Sequence, residues 1–196
     1  MRKIKLLNDF ERDLAKSFLL SKFIGEWGTP SIRTKFRFLE EELAEIYVFS
    51  STDIVRLCSF GCLQAETEDK VMHEVLCVFD TSDPEYSDKR AMAFMSDCLQ
   101  YFFTAEKSLE VPQLVNFNFD QSRRRVILFD EARGEPDSVS LFDFDNRSFQ
   151  LVWASEIKNE ELIFIQKHGM EKFDRLVDDG TVDLLRVSRK PRLSLK

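Results

Sequence analysis

The sequence predicts an α+β fold, a mostly antiparallel β-sheet with helices packed on it, as one domain over residues 1–196. Three observations lead there. Two long stretches, 8–28 and 82–108, carry apolar residues at helical spacing. Eight shorter stretches are rich in β-branched and aromatic residues and read as strands. Short turn-prone segments join most of the strands, which favours antiparallel pairing. The five prolines and six glycines form no hinge, and there is no internal repeat, so the elements read as one unit.

The elements follow in order. "NDFERDLAKSFLLSKFIGEWG" is a helix. Asn8 is placed to accept from an early backbone amide, with Glu11 three residues on as in a capping box. Phe10, Leu14 and Phe18 share one face. Gly25 or Gly28 ends the helix, and Pro30 blocks its continuation. "TKFRFLE" alternates, with Phe36 and Phe38 on one side. "LAEIYVFS" and "IVRLCSFG" meet across Ser50 to Asp53, and "KVMHEVLCVFD" is the clearest strand of this half. In the second helix Ala91, Phe94, Met95, Cys98, Tyr101 and Phe102 form one stripe, opened by Asp83-Pro84 or Ser87. "QLVNFNF", "RVILFDE", "SVSLFDF" and "SFQLVWAS" return to strands, with "DQSRR", "ARGEPD" and "DNR" as turns. Two short helices close the chain. Asn159 caps the first, Glu160 and Glu161 favour its positive end, and Lys167 and His168 its negative end. Gly169 takes a left-handed cap, and a second helix runs from Met170 towards Asp179-Gly180.

Composition limits the function. Hydrophobic residues are 43% and charged residues 32%, as in globular proteins. The 19 phenylalanines against three tyrosines point to an aromatic core. A net charge of −7 disfavours nucleic acid. Arg123-Arg124-Arg125 reads as a solvated turn, and Arg186, Arg189, Lys190 and Arg192 crowd the tail. No apolar run approaches the roughly 18 residues of a membrane helix. The basic N-terminus is broken at Asn8 and Asp9, so no signal peptide is expected and the chain reads as cytoplasmic. Cys58, Cys62, Cys77 and Cys98 form no CxxC pair, and the histidines that could join them at a metal, His73 and His168, lie far apart in sequence. The cysteines read as reduced thiols, with no metal or cofactor.

No phosphate-loop, dinucleotide, nucleophile-elbow or zincin motif is present. His73 sits beside Glu74 in a strand, where neighbours point to opposite faces. A small hydrolase built near His73 and Glu74 would need a nucleophile that the sequence does not advertise. "DFDNRSFQ" starts like a calcium loop, but Arg147 stands where an oxygen ligand belongs, and the pattern fits a hairpin turn at Asp145-Asn146 better. Glu40, Glu41 and Glu42 form a solvated edge rather than an acid–base pair. No catalytic residue is assigned. Glu40, Glu41, Glu42, Asp143 and Asp145 are nominated as an acidic surface for a protein partner. A ligand-sensing domain would instead show a closed apolar pocket along the Phe94–Phe102 helix.

Four stretches resemble the suppressor of fused domain family in its compact bacterial form. They are "WGTP", "LAEIYVFSSTDIVRLCSFGCLQ" with its Ser59-Phe60-Gly61-Cys62 turn, "MHEVLCVFD" with Glu74 before Val75 and Leu76, and "FQLVWASEIKNEELIFIQKHGMEKFDRL". They span most of residues 27–180. One departure is clear: Ser155-Glu156-Ile157 stands where the family has a proline before the last helices. The resemblance implies a suppressor-of-fused-like α/β/α sandwich that binds rather than catalyses, in the extent of the family's N-terminal lobe. Animal relatives grip a transcription-factor peptide as an added β-strand between two lobes. Bacterial relatives are implied to be immunity proteins of polymorphic toxin systems, so the expected partner is a toxin encoded nearby. An acidic face suits a basic toxin.

Overall fold

A computed structural model describes residues 9–38, 41–61, 71–105, 109–118, 124–144, 147–190 and 193. The first helix, α1, is Asp9–Trp27, followed by strands β1 (Ile32–Phe38), β2 (Glu41–Ser50), β3 (Ile54–Phe60) and β4 (Val71–Asp80). Helix α2 (Asp88–Thr104) leads to β5 (Gln113–Asn118) and β6 (Arg124–Glu131). Then come α3 (Asp137–Ser140), β7 (Leu141–Phe144), β8 (Arg147–Glu156), α4 (Asn159–His168) and α5 (Met170–Asp178). The strands form one sheet in the order β1-β2-β3-β4-β8-β6-β5, with β7 beside the start of β8. All pairings are antiparallel except β4 with β8. The expected α+β class and mostly antiparallel sheet are both present.

Strand alternation gives the sheet two apolar faces. Met72, Leu76, Leu128 and Leu151 face α1, α4 and α5, against Leu19, Phe164 and Phe173. Val75, Cys77, Ile127 and Val152 face α2, against Phe94, Met95 and Leu99. Helices therefore lie on both faces, the α/β/α layering that the resemblance implied. The α2 stripe packs as its spacing predicts, and the Ser87 side chain accepts from the Arg90 amide.

Several local expectations need correction. The buried stripe of α1 is Ala15, Leu19 and Phe23, while Phe10 is 75% and Leu14 49% exposed. This helix carries more apolar residues than one face needs, so ring contacts choose the inner side. Phe23 stacks on Trp27 at 4.6 Å and meets Phe49 and Phe60 edge-on. Trp27 in turn donates from Nε1 to Glu135 at 2.8 Å, which gives the "WGTP" turn a long-range anchor. The Gly28 amide closes α1 on the Ile24 carbonyl at 3.0 Å. Residues Ser138 to Ser140 of "SVSLFDF" form the helical turn α3 rather than strand. Asn159 is the first residue of α4, not its cap: the Lys158 amide donates to Glu161 Oε2 at 2.8 Å. Gly169 takes φ 87° with ψ 161°, so it is extended rather than a left-handed helical cap. That backbone, favourable only for glycine, turns α4 directly into α5.

The C-terminal segment straps the layers together. Leu185 O accepts from the Asp80 amide at 3.0 Å, and Ser188 donates to Asp83 Oδ2 at 2.8 Å. Arg189 reaches Glu161, which is 0% exposed.

Candidate functional site

The residues that carried the resemblance converge beneath the α1 face. Ser59 Oγ donates to Glu74 and accepts from the Val75 amide at 2.8 Å. Glu74 Oε1 also accepts from the Gly61 amide at 2.9 Å. The β3–β4 ladder stops at Cys58 opposite Leu76. Beyond it the two side chains take over the pairing of the diverging strands. Gly61 has φ 134°, and a Cβ there would lie 2.7 Å from Leu43 O. The Ser-Phe-Gly turn and its glutamate therefore form one buried polar joint. Ser59 is 0% and Glu74 1% exposed, so no substrate reaches this serine.

His73 is 4% exposed and its Nε2 lies 3.2 Å from Gln150 Oε1, on the face opposite Glu74. The histidine and carboxylate that a hydrolase near His73 and Glu74 would need are thus not brought together. At Phe94 the α2 stripe leaves a cavity of about 10 Å³, room for one water rather than a ligand. Among the described residues no group of three or more His, Cys, Asp or Glu could hold a metal ion. No helix there is long and apolar enough to cross a membrane.

The nominated acidic residues do not share one strand region. Glu40 and Asp145 lie outside the described residues. Glu41 and Glu42 stand on β2 opposite Phe38 and Arg37. Asp143 stands on β7, where Ser148 Oγ donates to it at 2.7 Å. Three strands, β3, β4 and β8, intervene, and at about 4.8 Å per step the patches are roughly 19 Å apart.

The two outer strands of the sheet differ in kind. β1 carries exposed Arg33, Lys35 and Arg37 on alternate positions and a register shift between Phe36 and Arg37. Charges and bulges are how sheet edges repel unwanted strands. β5, "QLVNFN", has no charge, and its register with β6 runs unbroken from Gln113 opposite Phe129 to Asn118 opposite Arg124. The Ile157 amide donates to Val126 O at 2.8 Å, so Val126 turns its backbone groups towards β8. Alternation then turns Arg125, Ile127 and Phe129 towards β5, and Leu114, Asn116 and Asn118 outwards. Among the described residues, β5 thus presents a row of outward amides and carbonyls and carries no charge of its own.

Where β6 begins, opposite the end of β5, lies a cleft of about 400 Å³ between β6 and the β8–α4 corner, lined by Arg124, Arg125, Val126, Glu156, Ile157, Lys158 and Asn159. Arg124 Nε donates to Asn116 Oδ1 at 2.6 Å, so its side chain lies across β5. Arg125 is not the solvated turn residue expected. Its Nε donates to Asp97 at 2.6 Å and its Nη1 to Glu156 at 2.5 Å, beside the Phe94 ring. Burial alone would lower the Arg125 pKa, but Glu156 and Asp97 outweigh it and raise it. Asp97 was the available sequence signal: a charge within the apolar stripe of α2 asks for a buried partner.

A family model for the suppressor of fused protein matches residues 41–190. The chain belongs to the suppressor of fused family. Its fold is similar to that of a chain in the Sufu-Fu complex crystal structure, with a TM-score of 0.63 at 11% identity, covering 92% of this chain and 91% of that one. It is also similar to Drosophila Suppressor of Fused, with a TM-score of 0.62 at 8% identity, over 92% of this chain and 50% of that one. The chain therefore spans about half the length of the Drosophila chain. A search of curated proteins finds no match. The suppressor of fused match contains the Ser59–Gly61–Glu74 joint, β5 and the cleft.

Proposed function

We propose that this suppressor of fused domain is a non-catalytic protein-binding module. It docks a partner segment as an added strand on the outer edge of β5, and the partner is a toxin that it neutralises. One observation carries the docking face: β1 is guarded by charge and a bulge, whereas β5 offers outward backbone groups at Leu114, Asn116 and Asn118. Strand addition needs one free edge and no second lobe. The fold likeness to a chain from the Sufu-Fu complex supports a protein as the partner. The toxin reading rests on the resemblance to compact bacterial relatives and on the net charge of −7, which favours encounter with a basic protein. In this reading Glu40, Glu41, Glu42, Asp143 and Asp145 steer the encounter and β5 makes the contact.

The test is protection of cells from the toxin encoded beside the gene, with Asn116→Pro as the probe. That substitution removes an outward amide and no backbone bond to β6, although it also removes the side-chain bond from Arg124 to Asn116. We expect the native chain to protect and to co-purify with the toxin, and the variant to fold but lose both. No protection and no specific protein partner would count against the reading.

A further inference from the structure

The cleft opposite the end of β5 assigns a chemistry to the partner segment, and this rests on the strand-docking reading above. We propose that the docked segment is acidic where it passes Arg124, and that Arg124 and Lys158 select it. Three of the cleft's lining residues are cationic and one, Glu156, is anionic. Glu156 is already engaged by Arg125 Nη1 and lies 3.7 Å from Arg90. Arg125 is held by Asp97 and Glu156 and forms a fixed floor. Arg124 and Lys158 carry the remaining positive charge. Arg124 is exposed, and its guanidinium is drawn over β5 by Asn116, within reach of a strand added about 4.8 Å further out.

Local charge decides here in spite of the acidic protein. At 0.15 M ionic strength charges beyond about 8 Å are largely screened, so a carboxylate beside Arg124 sees these cations rather than the net −7. An arginine also suits a carboxylate by shape, since its planar fork donates two parallel bonds. Asn116 and Asn118 on the same face add neutral polar partners and no competing negative charge.

Two labelled synthetic peptides test this by fluorescence anisotropy at about 0.15 M ionic strength. One is a Thr/Val-rich strand ending in glutamates, the other the same strand ending in glutamines. A charge-assisted bond contributes about 1.5–3 kcal/mol, so we expect the acidic peptide to bind about tenfold or more tightly. The gap should shrink with salt and vanish in Arg124→Gln combined with Lys158→Gln. Arg125 is left unchanged because its loss would strand Asp97 and Glu156. Equal binding of the two peptides, lost in Asn116→Pro, would overturn the acidic preference and leave strand docking standing. Binding of neither would overturn both. A preference that survives in the double variant would overturn the assignment to Arg124 and Lys158.

Discussion

Replacing Arg189 with alanine should unfasten the C-terminal strap. Arg189 donates from Nε to Glu161 Oε1 at 2.7 Å and from Nη2 to Glu161 Oε2 at 2.9 Å, and it also reaches Glu156 O. The side chains are 6% and 0% exposed. Arg189→Ala leaves the Glu161 carboxylate buried without its counter-ion, which costs about 3–5 kcal/mol. For a domain of this size about 2–4 °C is lost per kcal/mol, so Tm should fall by roughly 6–20 °C. An apolar pair separates charge loss from packing loss. Glu161→Leu with Arg189→Met removes both charges and forfeits the Glu161 bond to the Lys158 amide, a cap worth about 1 kcal/mol. We therefore expect the double variant to be more stable than Arg189→Ala alone. Urea denaturation monitored by tryptophan fluorescence measures both. A loss below about 1 kcal/mol for Arg189→Ala, or a double variant as unstable as the single, would refute the reasoning.

Other expectations concern charge and the motif joint. Burial alone would raise the Glu45 pKa, yet hydrogen bonds from Arg33, Lys16 and Tyr47 outweigh it and bring it from 4.5 to about 2. A lowered carboxylate pKa stabilises the fold above the unfolded value and is lost as pH falls. The urea midpoint should therefore drop between about pH 4.5 and 2, and Glu45→Gln should flatten that limb. Gly61→Ala places a Cβ 2.7 Å from Leu43 O and 2.9 Å from Ala44 Cα at φ 134°, so it should lose about 1–3 kcal/mol in the same assay. Lysine at Glu41, Glu42 and Asp143 together should slow association with a basic partner, read by stopped flow, and leave its dissociation rate nearly unchanged.

Much of the fold is legible in the sequence because its elements follow single periods. β4 and the α2 stripe lie where their patterns predict: β4 is an almost continuous apolar run buried on both faces, and α2 carries one apolar stripe. α1 is misjudged on its inner side because Phe10, Leu14, Ala15, Phe18, Leu19 and Phe23 supply two overlapping stripes. The ring contacts of Phe23 with Trp27, Phe49 and Phe60 select between them. The proposed docking edge is not legible because it depends on strand order. "QLVNFN" reads as a neutral strand, and nothing local says that it ends the sheet. The Arg125–Asp97–Glu156 cluster likewise joins three distant segments. Glu74 could be linked to the Ser59-Phe60-Gly61 turn by family resemblance, but its reason, a joint replacing a broken ladder, requires the structure.

The most direct test of strand docking is residue-resolved amide hydrogen exchange of the chain, free and bound to the proposed toxin partner. We expect slowed exchange at the outward amides of Leu114, Asn116 and Asn118, with Arg33, Lys35 and Arg37 on β1 unchanged. Protection along β1 or the exposed side of α1, with β5 unaltered, would contradict it.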